Sequence, residues 1–225
     1  MKRIFVLLAV VLISLTAANA SLVECAIGGT TSVTYGNSAS PSFTCGSLTF
    51  DNFVVASATG GAIGTVAILG AQYDPTTGTV DMQLNPNLLS GEDVGLLFQV
   101  WGGVTELDLA VGGNDAQVTE RACSSPIPTT GPTAYLCPSG SMLGQVSDFS
   151  NDPNAPVFSG NFNNTSPIYI FKDIETGSGS PAGTGQLSEF TQSFEVGTVP
   201  EPVSLVLLGS GLLGLGLLRR RARKS

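Results

Sequence analysis

The stretch LSEFTQSFEV, residues 187–196, sets Phe190, Gln192, Phe194 and Val196 against Thr191, Ser193 and Glu195. Alternation with a period of two marks a strand with one face turned to a core and the other to water. The same period runs through TVDMQL (79–84), with Val80, Met82 and Leu84 on one side. It recurs in TELDLAV (105–111), with Leu107, Leu109 and Val111 on one side, and continues in PIYIFKD (167–173). In GSLTFDNFVVASA (46–58), Leu48 and Phe50 are in step while Phe53 and Val55 are out of step, which predicts a β-bulge between the two pairs.

Turn-rich segments separate these runs: YDPTTGT (73–79), NPNLLSGED (85–93), GGND (112–115), SNDPNAP (150–156) and TGSGSPAGTG (176–185). The last lies between two strand-like runs and reads as a loop, not a domain linker. Helical period is confined to the two termini. Many short strands with frequent turns predict a mainly β protein, a single antiparallel β-sandwich or jelly-roll-like domain over residues 21–197, with an N-terminal signal helix and a C-terminal transmembrane helix. The 28 glycines and a charged fraction of only 12% agree with a turn-rich β chain. Without the ends, roughly 180 residues remain, enough for one domain with a real core.

Residues 1–20, MKRIFVLLAVVLISLTAANA, have a basic start at Lys2 and Arg3, an apolar run, and Ala18-Asn19-Ala20. That order is a secretory signal peptide with cleavage expected after Ala20. A lipoprotein reading of SLVEC fails, because Glu24 precedes Cys25 where a small neutral residue belongs. Export permits disulfides among Cys25, Cys45, Cys123 and Cys137. Four cysteines allow three connectivities. The pairing of near neighbours, Cys25–Cys45 and Cys123–Cys137, is the simplest, and it makes CSSPIPTTGPTAYLC (123–137) a pinned loop.

Charge is unevenly spread. Lys2, Arg3, Arg219, Arg220, Arg221, Arg223 and Lys224 lie in the termini, which leaves Arg121 and Lys172 as the only cations between them. All acids but Glu201 lie in that middle region, so its net charge is about −14 and it repels nucleic acid and anionic surfaces. The chain has no histidine, which excludes a Ser-His-Asp or Cys-His site and makes a zinc site untenable. A Ser-Lys pair would need Lys172, and no S-x-x-K surrounds it. Glu106 and Asp108 share one strand face as a carboxylate pair, opposite Leu107 and Leu109, and read as a solvated side. GGND reads as a tight turn rather than a calcium repeat, and the single tryptophan, Trp101, as a core or rim residue. No catalytic residue, cofactor or metal is expected.

The C-terminal VPEPVSLVLLGSGLLGLGLLRRRARKS (199–225) holds an uncharged run, 203–218, followed by a basic tail, 219–225. As a helix the run spans about 24 Å, somewhat short of a bilayer core, and its flanking arginines can snorkel. Arg219, Arg220, Arg221, Arg223 and Lys224 would stay in the cytoplasm as a basic anchor, with the body outside. Pro200 and Pro202 hold Val199 and Glu201 extended at the outer membrane face. Physical chemistry alone leaves two readings, a passive single-pass anchor and a handle for a membrane-embedded peptidase.

Taken together, Val-Pro-Glu-Pro, a Leu/Gly-rich helix and an Arg-rich end resemble the PEP-CTERM sorting signal of Gram-negative bacteria, over 198–225. The resemblance implies processing by an exosortase that recognises Pro200, Glu201 and Pro202, a transient stay in the inner membrane, and delivery to the cell surface or the exopolysaccharide matrix of a biofilm. GSLTFDNFVV, VTERAC (118–123), FKDIETG (171–177) and LSEFTQSFEV are similar to a body type found among such proteins, which implies no known activity. The expected function is therefore that of an exported, non-enzymatic surface or matrix protein. The alternative is an adhesin-like module that binds polysaccharide or Ca²⁺, and a secreted hydrolase has the least support.

Overall fold

The structure, a computed structural model, describes residues 21–28, 31–36, 40–150, 157–159, 162, 166–177 and 185–196. The expected signal peptide and sorting segment lie outside these residues. Among the described residues there are thirteen strands and no helix. They are β1 (Val23–Glu24), β2 (Ser32–Thr34), β3 (Phe43–Cys45), β4 (Leu48–Thr59), β5 (Thr65–Asp74), β6 (Thr79–Asn85) and β7 (Asp93–Trp101), followed by β8 (Val104–Val111), β9 (Ala116–Cys123), β10 (Met142–Phe149), β11 (Val157–Ser159), β12 (Ile168–Thr176) and β13 (Phe190–Val196).

Two antiparallel sheets pack as a β-sandwich. The first has the order β1-β5-β6-β13-β8-β11, with β2 also paired to β5. The second has the order β10-β9-β12-β7-β4-β3. Each strand turns its in-phase apolar residues inward. Val80, Met82 and Leu84 of β6, Leu107 and Leu109 of β8, and Phe190 and Phe194 of β13 come from the first sheet, and all are buried. They meet Leu48, Phe50, Phe53 and Val55 of β4 and Val94, Leu96, Phe98 and Val100 of β7, which are buried too.

The predicted bulge is present in β4. The pairing of β4 with β7 shifts between Asp51 and Val54, and Asn52 adopts φ 55°. The extra residue restores the inward phase, so Leu48, Phe50, Phe53 and Val55 all reach the core. GGND, read as a tight turn, is a bend that carries the chain from β8 in the first sheet to β9 in the second, with Asn114 in an isolated bridge to Gln186. Gly113 has φ 89°, and a Cβ there would lie 2.3 Å from the Gln186 carbonyl oxygen, so glycine lets this bend approach residues 185–187.

Both near-neighbour disulfides form, Cys25–Cys45 with Cα atoms 5.3 Å apart and Cys123–Cys137 with Cα atoms 5.5 Å apart. The Cys25 amide donates to the Ala71 carbonyl of β5, while Cys45 ends β3, so this bridge ties an edge of the first sheet to an edge of the second. The other bridge pins residues 124–136 onto the outer face of the second sheet. There Tyr135 stacks on Phe171, centroids 5.1 Å apart, and its hydroxyl donates to the Ala56 carbonyl at 3.0 Å. Closing loops of this length contributes on the order of 3 kcal/mol each.

Phe194 stands edge-on to both Phe50 and Phe98 of the opposite sheet, with centroids 5.2 and 6.3 Å away. Phe194→Ala is expected to cost about 3–5 kcal/mol, read as a lowered denaturant midpoint. A loss of under about 0.5 kcal/mol, obtained from the midpoint and its slope, would mean that the two sheets do not meet at this residue.

Candidate functional site

The period of two turns several polar residues inward, and three of them meet in the core. On β12, Lys172 shares its face with Ile168, Ile170 and Ile174. On β9, Glu120 shares its face with Val118 and Ala122. The pairing of β12 with β9 sets Lys172 directly opposite Glu120. Gln192 comes from the facing sheet, between Phe190 and Phe194 on β13. All three side chains are fully buried, at 0% exposure.

The Lys172 Nζ donates to Glu120 Oε2 and to Gln192 Oε1. It also lies 5.4 Å from the centroid of the Phe190 ring. The Gln192 Nε2 donates to the Ser193 carbonyl at 3.0 Å, which fixes the direction of the amide. Glu120 Oε1 is buried without a hydrogen-bond partner. Burial pulls the Lys172 ammonium down from its ordinary pKa, against the opposing pull of Glu120. Burial likewise pushes the Glu120 carboxyl up, against the opposing pull of Lys172. Both directions favour an uncharged amine beside an uncharged acid. The site combines a nucleophile, an acid-base group and an amide, but its burial closes it to any diffusing substrate.

The outer faces carry acids opposite acids. On the first sheet, Glu195 of β13 faces Glu106 of β8, and Ser193 lies between Asp108 and Asp81 in register. The Ser193 hydroxyl donates to Asp81 Oδ1 at 2.6 Å. Carboxylate oxygens of Glu106, Asp108 and Glu195 lie within 4.8 Å of one another. They are near enough to share a divalent cation, but three half-exposed carboxylates do not by themselves make a metal site. On the second sheet, Asp93 faces Glu175. Desolvation and then the neighbouring carboxylates raise the pKa of Asp93, Asp108, Glu175 and Glu195. The sequence pair Glu106 and Asp108 thus does lie on an outer face, and Glu195, adjacent only through strand pairing, completes it.

Trp101 lies on the outer face of the second sheet, 43% exposed, and its Nε1 donates to Asp51 Oδ2 at 3.1 Å. Asp51 is opposite Gln99, and Gln99 is opposite Tyr169 on its other side. A half-exposed indole with a fixed plane therefore adjoins a row of polar and aromatic side chains. The four cysteines are the sequence-derived site residues found within the described structure. Ala20, Pro200, Glu201, Pro202, Arg219, Arg220, Arg221, Arg223 and Lys224 lie outside the described residues.

The fold and the surface define an antiparallel, disulfide-bonded β-sandwich. No family model and no curated protein matches the chain. Among solved structures, one titled as TmCBM61 in complex with β-1,4-galactotriose matches at 13% identity and a TM-score of 0.32. The match covers 64% of this chain and 84% of that one. At that score the likeness decides neither topology nor ligand.

A carboxyl whose folded pKa is raised contributes stability that is fully present below its unfolded pKa and is lost as pH rises through the folded one. Like charges directly opposite in a sheet cost roughly 0.2–1 kcal/mol. Glu195→Gln, which removes the charge directly opposite Glu106, is therefore expected to raise Tm near pH 7 by about 1–3 °C and to leave it unchanged near pH 3. Thermal melts at the two pH values check this; equal shifts at both would assign the effect to packing.

Proposed function

We propose that the protein is an exported, non-enzymatic component of the cell surface or extracellular matrix, with a signal peptide at 1–20, a β-sandwich body at 21–197 and a PEP-CTERM-type sorting segment at 198–225. An exosortase would grip Pro200, Glu201 and Pro202 while 203–218 holds the chain in the inner membrane and Arg219–Lys224 keeps the end cytoplasmic. The observation that carries this reading is the contiguous order of Pro-Glu-Pro, apolar run and basic cluster in the last 27 residues. Two formed disulfides support an oxidising destination. The sealing of Lys172, in a chain without histidine, supports a body that turns over no substrate.

Glu201→Ala tests the sorting step. In cells that contain an exosortase, the variant is expected to stay full-length in the inner membrane while the wild type is shortened and released. Processing of both to the same mass would leave the tail a passive anchor.

A second reading, polysaccharide binding by the body, is favoured by Trp101. An indole held by Asp51 is preorganised to stack on the apolar face of a sugar ring, and Gln99 and Tyr169 beside it offer hydrogen-bonding groups. The acidic surface favours a neutral glycan over an anionic one. Because Trp101 is the only tryptophan, its fluorescence reports this face alone. Titration with neutral exopolysaccharide is expected to give a saturable emission change, and Trp101→Ala to lose retention on that polysaccharide with an unchanged Tm. Flat emission across the titration would remove this reading.

A further inference from the structure

We propose that Lys172 and Gln192 become joined by an intramolecular isopeptide bond, with Glu120 as the acid-base group, so that the two sheets are covalently cross-linked through the core. This does not depend on how the tail is processed.

The placement carries the argument. Lys172 belongs to the second sheet and Gln192 to the first, and their polar ends meet inside the sandwich. The Nζ is already hydrogen-bonded to the Gln192 Oε1, so the amide carbon lies one bond beyond that contact. The Gln192 Nε2 is turned away, held by the Ser193 carbonyl, so the carbonyl side of the amide faces the amine. Glu120 contacts the same Nζ with one oxygen and keeps the other without a partner. Leaving a buried carboxyl oxygen unsatisfied is costly, and a purely structural ion pair gives no reason for it.

The chemistry balances within the three groups. The uncharged amine that burial favours is the nucleophilic form of lysine. Its lone pair attacks Gln192 Cδ, the Nζ–Cδ bond forms, and the carbonyl electrons move onto Oε1. The protonated Glu120 carboxyl, also favoured by burial, stabilises that oxygen by hydrogen bonding. As the carbonyl re-forms, the Cδ–Nε2 bond breaks. Glu120 relays the proton lost by Nζ to Nε2, which leaves as ammonia. Glu120 ends as it began, and no oxidant, reductant or outside co-reactant is needed. Held in contact in a dry core, the pair has the proximity such a slow step requires. The link would close a loop of 20 residues that thiols cannot open.

Intact mass of the purified full chain tests the proposal. After allowance for the two disulfides and any removed terminus, the wild type is expected to lack one ammonia, about 17 Da. Trypsin gives a second readout on reduced, denatured protein. It should cut after Arg121 but not after Lys172, so that Lys172 and Gln192 stay in one peptide that begins at Ala122 and lacks the same ammonia. Lys172→Met, and Glu120→Gln in folded form, are expected to keep the ammonia. A folded wild-type protein of full mass that trypsin cleaves after Lys172 would overturn the proposal. Cross-linking that persists in Glu120→Gln would overturn the role given to Glu120.

Discussion

Phe194 meets Phe50 and Phe98 across the gap between the sheets, and the rest of the body is arranged around that contact. Phe53 stacks on Phe98 and on Phe43 behind it, so the aromatic cluster extends to β3 at one edge of the second sheet. The cluster works only if β4 presents two pairs of residues in phase, and the bulge at Asp51–Val54 achieves this. Next to it, the Cys25–Cys45 bridge prevents the edges from parting. Aromatic packing, bulge and disulfide thus act on one region, where the sandwich would otherwise be easiest to open.

Against this apolar interior stands an unusual division of charge. The one lysine of the body is enclosed with a glutamate and a glutamine, while acids crowd the outside with little to neutralise them. Enclosing Lys172 and Glu120 is costly, and in an ordinary core an apolar pair of similar volume would serve as well or better. Outside, Glu106 opposite Glu195 and Asp93 opposite Glu175 weaken the fold at neutral pH but keep the surface strongly negative, which opposes self-association. The surface charge favours solubility at the expense of stability, and the covalent bridges offset that loss.

The strands at 79–84, 105–111 and 190–196 are legible in the sequence because one face of each is buried, so hydrophobicity follows the pleat. The bulge is legible for the same reason, since Phe53 and Val55 break step with Leu48 and Phe50. Partners are not legible. β13 inserts between β6 and β8, and no turn signal records a pairing between strands so far apart in the chain. That is why Glu195 is missing from the sequence pair Glu106 and Asp108. It is also why the meeting of Lys172, Glu120 and Gln192 is hidden, although a signal exists. Each stands in the apolar phase of its own strand, Lys172 among isoleucines and Gln192 between two phenylalanines. Phase shows that each points inward, and only the pairing of the sheets shows that they touch. Cysteine spacing cannot choose between connectivities, so the pairing of near neighbours is established by the structure.

The position of β13 also has a mechanical consequence. It is the last strand described, it is bonded along both sides, and the chain runs on from Val196 toward the C-terminus. A pull on that end loads the ladders with β6 and β8 together, in shear along the strand. An outermost strand would instead peel away one bond at a time. Tension applied at that end therefore passes into the middle of the sheet, where many hydrogen bonds must break at once before the fold gives way.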